Sequence, residues 1–501
     1  VNRSVDFEDI QGLVRFGYGG LKAARYLLMR VVDAAAARAW LADAPLATAV
    51  AGKPPETALQ LAFTSAGLLA LGVPSTIVEG FSPEFVVGMG TDAARARRLG
   101  DVGPNDPSRW RWGIGARLPH VMILLFAHAD TLDALCDRIV GECAEGLERI
   151  DSLETDDMGD IEPFGFADGL SQPLVDWERE RPVADETRLA YGNRVCLGEF
   201  VLGYPNEYGG YADRPLIDRA LDPAALLPPA EDAPGMADVG RNGSYLAVRQ
   251  LRQDVRTFWR YFDDQGKGDP GLRMRWAEAA VGRTLDGTPL VGDRHEAIDG
   301  LGKSAVHNAF TYRADPEGLR CPLGAHVRRA NPRNADLPAD TSGLVQRLVR
   351  MLGFDAAARE QDKVSSTRFH RLLRRGREYG TKLSIAEALA DQPVAKETGL
   401  HFLCLGANLA RQFEFVQNAW LMSAKFDGLH DERDPIVGHR LPGPDGTSTD
   451  NFTIPQGDGP SARLCAMPDF VTVVGGAYFF MPGRRALRYL CSHPRPPAET
   501  P

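Results

Sequence analysis

Three short stretches of the sequence carry side chains of the kinds that move protons and hold metals. The first is Glu162-Pro163-Phe164-Gly165-Phe166-Ala167-Asp168-Gly169-Leu170-Ser171-Gln172-Pro173. Asp168 is flanked there by Gly165 and Gly169 and by large aromatics, so a tight, partly apolar turn could desolvate its carboxyl and raise its pKa toward acid/base work. Asp-Gly is also an ordinary turn dipeptide, and a purely structural turn accounts for the same residues. The second stretch runs from Cys321 to Arg333 and places His326 among small apolar residues, ahead of Arg328, Arg329 and Arg333. A neutral imidazole nitrogen suits a metal and guanidinium groups suit carboxylates, which together would serve an anionic, metal-centred cofactor. A satisfied core histidine beside a solvated arginine face reads from the same letters. The third, Arg368 to Gly380, would as a strand put Arg368, His370, Leu372 and Arg374 on one face, able to direct a charge into a pocket.

These residues need elements to carry them. Short apolar runs alternate with helical patterns in the first half: Ala24–Val32 reads as a strand, Asp33–Ala42 as a helix, Ala58–Thr64 as a strand, Ala66–Leu71 as helical, His120–His128 as a buried strand and Thr131–Cys143 as a helix. The second half repeats the rhythm. Ser244–Leu251 reads as a strand, Asp254–Phe262 as a helix, Arg368–Arg374 and Leu400–Leu405 as strands, and Ala407–Leu421 as an amphipathic helix. Phe470–Phe480 is expected to turn at Gly475-Gly476 as a hairpin, before a last helix near Arg484–Leu490. Two α+β modules of the split βαβ, ferredoxin-like type fit this order. The Pro-, Ala- and Asp-rich stretch Arg214–Gly240 marks either a boundary or a surface excursion, which sets the modules at 1–225 and 226–501.

Composition bounds the function classes. The chain has 501 residues, 44% hydrophobic and 25% charged, with net charge −10, which argues against a general nucleic-acid binder. Only eight of its 57 basic residues are Lys, so its cationic chemistry is nearly all guanidinium. The seven cysteines form no C-x-x-C pair, covalent haem motif or zinc spacing, and read as reduced thiols in a cytoplasmic protein. Export stays open, since the chain begins Val1-Asn2-Arg3 without an initiator Met. The longest apolar run, Val121–Ala127, is far short of the ~20 residues a membrane helix needs.

Taken together, G-F-A-D-G (Gly165–Gly169), C-P-L-G-A-H-V-R-R-A-N-P-R (Cys321–Arg333) and R-R-G-R-E-Y-G (Arg374–Gly380) resemble the signature blocks of the dye-decolorising peroxidases. Similarity extends to D-I-Q-G (Asp9–Gly12), G-E-F-V-L-G-Y-P-N-E-Y-G (Gly198–Gly209), R-Q-F-E-F-V-Q (Arg411–Gln417) and F-V-T-V-V-G-G-A-Y-F-F (Phe470–Phe480), and so covers most of the chain. The length resembles the larger, insertion-bearing members. The resemblance implies two ferredoxin-like modules of the dimeric α+β barrel type, with antiparallel sheets and peripheral helices, and one haem b held noncovalently in the second half.

It implies, too, that Asp168 is the distal acid/base, Arg374 the distal arginine with Arg375 as the competing register, and His326 the proximal iron ligand. Arg333 resembles the propionate-binding arginine, Leu400 and Phe402 the apolar pair lining the distal pocket. Asp434, in the loop Asp431-Glu432-Arg433-Asp434, is expected to accept from the proximal histidine. Hydrogen peroxide and a bulky organic reductant, such as a dye or phenol, would be the partners. Trp110, Trp112, Trp177, Trp259, Trp276, Trp420 and Tyr379 could relay electrons from a reductant too large for the pocket, or simply pack the core. The rival readings are a haem-binding or iron-extracting protein with little turnover, a haem-free interaction protein, and a metal hydrolase using His430, Asp431, Glu432 and Asp434.

Overall fold

The computed structural model describes residues 4–180, 193–291, 307–333, 367–390 and 396–492, apart from 309, 313 and 444. In the first half the alternation read from the sequence becomes β1 (Ala23–Val31), α1 (Ala34–Ala42), β2 (Thr57–Phe63), β3 (Val121–Ala127), α2 (Leu132–Cys143) and β4 (Leu147–Glu154). Asp33 opens α1 by accepting from the backbone N–H groups of Ala35 and Ala36, which have no partner inside the helix. The unbroken apolar run of β3 is buried along its whole length. Its neighbours are antiparallel on both sides, in the order β2-β3-β1-β4.

The second half lays down β5 (Ser244–Gln253), α3 (Val255–Gln265), α4 (Pro270–Val281), α5 (His326–Ala330), β6 (Leu373–Arg374), β7 (Arg377–Tyr379), β8 (Gly399–Gly406), β9 (Val471–Met481) and α6 (Arg484–Ser492). Its order is β6-β8-β5-β9, with β7 also on β8, which repeats the pattern of the first half. The fold is therefore α+β, built of two ferredoxin-like modules. They join where Phe480 of β9 pairs with Phe63 of β2, making one nine-stranded antiparallel sheet.

Side chains alternate across that sheet. Leu27 and Met29 of β1 pack with Ala37 and Leu41 of α1 and with Ile139 of α2. Tyr26 and Leu28 face the opposite core, with Ile10, Leu13 and Phe200. A third cluster lies under α3 and α4 and takes in Phe164 and Phe166. The Arg214–Gly240 stretch folds as a packed excursion: Leu216–Asp218 pairs with Met236–Asp238, and buried Arg214 binds Asp232 and, at 2.7 Å, Asp238.

Three expectations change. Gly475-Gly476 makes no hairpin; the strand runs straight through with a bulge after Val473, because the Trp112 indole lies across it. A Cβ on Gly475 would stand 2.3 Å from the indole nitrogen, so the glycine serves a close approach and not a turn. Arg368–Arg374 pairs only at Leu373–Arg374, since Thr367–Phe369 is a 3-10 turn and the Arg371 carbonyl accepts from the Gln412 side chain. Ala410–Leu421 is coiled in the wider π form, with Glu414 N–H reaching Leu409 O and Met422 N–H reaching Gln417 O.

Candidate active site

A cavity of about 260 Å³ opens between the second half of the sheet and the helical layer above it. Every other residue of three strands forms its floor: Arg249, Leu251 and Gln253 of β5, Leu400 and Phe402 of β8, Val471 and Val473 of β9. Both residues of the expected apolar pair are thus in the wall. Phe413, Val416 and Leu421 of the π-coiled segment line it as well.

Asp168 enters from a loop that neither half of the sheet owns. Ile161 bridges Ala167, Asp168 N–H donates to Asp160 O at 3.2 Å, and Ala167 N–H donates to Leu285 O at 2.9 Å just beyond α4. Outside the loop, Phe164 stacks on Phe258 at 4.3 Å between centroids, and Trp259 Nε1 donates to Phe164 O at 3.1 Å. Arg374 comes from β6, where it pairs with Cys404, and its Nη1 donates to Asp168 Oδ1 at 3.0 Å. The Gln172 amide brackets the Arg374 backbone, accepting from its N–H and donating to its C=O, both at 3.1 Å. Arg375 points the other way and binds the carbonyls of Leu13, Val14 and Arg15, so only one of the two arginines reaches the cavity.

Burial alone would raise the Asp168 pKa, as expected from the turn. The Arg374 guanidinium and the Gly169 N–H overcome it and hold the carboxyl below its ordinary range. Asp168 and Arg374 are each still 28% open at the side chain, which leaves room for a small ligand.

Across the cavity, His326 opens α5, and its Nδ1 lies 2.9 and 3.1 Å from the two carboxylate oxygens of Asp434. Asp434 is fully buried and also accepts from the N–H groups of Ile436 and Val437, each at 2.9 Å. Burial lowers the imidazole pKa, but the facing Asp434 charge outweighs it and leaves it raised. Arg329 ties this arrangement down. Its guanidinium donates to the carbonyls of Gly324, Trp420, Ser423 and Glu432, so α5 is locked to the loop that carries Asp434. Arg328 meets Asp315 at 3.2 Å and Cys321 O at 2.9 Å. Neither arginine lies on a solvated face or in the cavity wall. Arg333 is buried as well, with its guanidinium on Asn308 O, Phe310 O and Asn308 Oδ1, each at 2.9 Å.

The structure thus brings Asp168, Arg374, His326, Leu400 and Phe402 to one cavity with Asp434 on His326, whereas Arg333 is outside the cavity wall. Glu162, Gln172, Gln253 and Arg283 belong to the same site and were not singled out from the sequence. Arg283 lines the cavity with its Nη2 donating to Ser171 Oγ at 2.8 Å, and burial pushes its pKa down to about 10. The His430–Asp434 loop disperses: Asp431 binds Arg463, Glu432 caps the Thr453 N–H and Asp434 takes His326. Among the described residues no three His, Cys, Asp or Glu side chains gather to hold a metal ion. Trp110, Trp112, Trp259, Trp276 and Trp420 are buried and Trp177 is half-buried, as core packing requires.

No family model matches the chain. The chain is 31% identical to the multifunctional dye peroxidase of an Amycolatopsis species, over 66% of its own length and 61% of that relative's. It is 27% identical to a dye-decolorizing peroxidase of the fungus Auricularia auricula-judae, over 96% of this chain and 86% of that one. The crystal structure of a DyP-type peroxidase from the same fungus superposes with a TM-score of 0.71 at 25% identity, covering 98% of this chain and all of that one. A dye-decolorizing peroxidase solved with 2,6-dimethoxyphenol shares the fold, at TM-score 0.70 and 23% identity, over 97% of this chain and all of that one.

Proposed function

The chain belongs to the dye-decolorising peroxidase family, and on that premise we propose that it uses hydrogen peroxide to oxidise organic reductants of the dye and phenol class, with haem b seated noncovalently in the cavity. The observation that carries the reading is the opposition of two prepared groups. An ionised acid with its arginine faces an imidazole with its carboxylate across one largely apolar space, each near enough to feel the other's charge.

The donor set fits a haem. Asp434 engages Nδ1 of His326, and among the described residues no hydrogen bond takes up Nε2. A single imidazole with no companion ligands cannot hold a bare ion, so the metal it binds must bring its other ligands with it, as a haem iron does. When bound, the haem supplies the iron that takes up peroxide and the electrons that O–O cleavage draws on.

The chain's own residues do the rest. Asp168, kept ionised by Arg374, accepts a proton from the peroxide and returns it to the departing oxygen. Arg374 offsets the negative charge that develops as that oxygen leaves. Asp434 draws on the Nδ1 proton, fixing the tautomer and making Nε2 a stronger donor. Leu400 and Phe402 restrict the space to small molecules, so a bulky reductant delivers electrons from outside it. A cytoplasmic setting is part of the same proposal, supported by seven cysteines that show no C-x-x-C pair or zinc spacing in the sequence.

Purified protein should show a Soret band and oxidise an anthraquinone dye only with peroxide. Asp168→Asn should keep the Soret band while the stopped-flow rate constant for peroxide falls by about 10²–10⁴. An unchanged rate would remove Asp168 from this role, and a Soret band without dye oxidation in the parent would favour a haem-binding protein with little turnover.

A further inference from the structure

Glu162 stands in the same cavity wall as Asp168, at the opposite end of the same turn. All of its polar atoms are engaged in shaping that turn. Oε1 accepts from Phe166 N–H at 3.0 Å, while Oε2 accepts from Phe164 N–H at 3.0 Å and from the Gln253 side-chain amide at 2.9 Å. Its own N–H donates to Phe166 O at 2.9 Å, and its C=O accepts from Gly165 N–H at 2.8 Å. The aromatic contacts of Phe164 and Phe166 with α3 fix where the outside of the turn lies. The Glu162 carboxylate holds the inside at Phe164 and Phe166, and through Gln253 it ties that inner edge to β5.

The position is an expensive one for a carboxylate. Burial first, and the Asp168 charge as well, push Glu162 up to about 7 against its three donors. A group held there against its own ionisation and against a like charge is fixed by what it organises.

We propose that Glu162 is the positioning residue of Asp168: it fixes the inner edge of the turn against β5, so that the Asp168 carboxylate stands opposite Arg374. This rests on the reading of Asp168 as the acid/base. A Gln at 162 keeps the reach but only one acceptor oxygen, and a Leu keeps neither oxygen. The Phe164 and Phe166 N–H groups must then find other partners, and the turn moves.

The test is a set of variants in the haem-loaded protein, measured by stopped-flow reaction with peroxide. Glu162→Gln should slow the reaction about 10-fold and Glu162→Leu about 100-fold, which is what a 1 Å misplacement of a reacting group costs. The concentration of dye at half-saturation should stay as in the parent. Gln253→Leu, which leaves the turn's own residues intact, should fall between parent and Glu162→Gln, and serves if the Glu162 variants do not fold.

The decisive arm is a double-mutant cycle. If Glu162 acts through Asp168, adding Glu162→Gln to Asp168→Asn should change the rate by less than about twofold, whereas a merely structural role would add its full effect. Full additivity, or single variants within about twofold of the parent, would overturn the proposal. An Asp168→Asn rate equal to the parent's would instead overturn the assignment of Asp168, and the two failures are distinguishable.

Discussion

An arginine 3.0 Å from a half-buried carboxylate leaves a signature in the pH profile as well as in the rate. In the proposed role Asp168 acts as a base only when ionised, so the rate with peroxide should be lost as pH falls through its pKa. Arg374 holds that pKa below the ordinary carboxylate range, which places the acid limb of the parent below that range too. In Arg374→Leu burial is no longer opposed by its main counterweight, and the limb should move to higher pH while the plateau rate falls about 10²–10³. A limb left in place, read from the peroxide rate constant against pH, would separate Arg374 from Asp168. At this scale membership of the site was legible where a short block surrounds a residue of telling type, as with Asp168, His326 and Arg374, which the structure brings to one cavity. Asp434 was reached through the loop that follows the right helix. Glu162, Gln172 and Gln253 were hidden because their work is done on backbone groups or on partners far along the chain, and no spacing records that. Arg328 and Arg329 misled for the same reason, since their acceptors include carbonyls up to Glu432 that a local reading does not place nearby.

α5 has only five residues, too few to stand as a helix by itself, yet it carries the imidazole on which the site depends. Its position comes from Arg329. Arg329→Leu would leave the carbonyls of Gly324, Trp420, Ser423 and Glu432 without their donor, and should cost at least about 3 kcal/mol of stability. It should also weaken haem retention, seen as a Soret band lost on gel filtration; a variant as stable and as coloured as the parent would refute the linkage. Regular elements were read well where one period dominates, as in the apolar β3 and in α1 with its Asp33 cap. Elements failed where a side chain from elsewhere decides the backbone. Trp112 keeps Gly475 in a strand, Gln412 claims the Arg371 carbonyl, and apolar spacing in Ala407–Leu421 does not separate an α coil from the wider π coil.

Across the whole molecule the halves are joined by more than their shared sheet. Arg249 of β5 makes a two-pronged ion pair with Asp101 of the first half, at 2.8 and 2.6 Å, with both side chains at most 3% exposed. Removing one partner leaves a buried charge uncompensated, so Asp101→Ala should lose about 3–5 kcal/mol in urea unfolding. A loss below about 1 kcal/mol would show that the halves do not depend on the pair. The arginine-rich composition takes on meaning here, for Arg214, Arg249, Arg328 and Arg329 are all buried and bound. Repetition of one strand order was legible as a rhythm, whereas the Phe63–Phe480 seam was not, because it joins strands from opposite ends of the chain. That seam bears on synthesis. β2 leaves the ribosome long before β9, so until β9 is made the edge of β2 that β9 will cover stays open to other chains. Nascent first halves are therefore the species most in need of a chaperone, and the arrival of β9, more than collapse of either half, closes that edge.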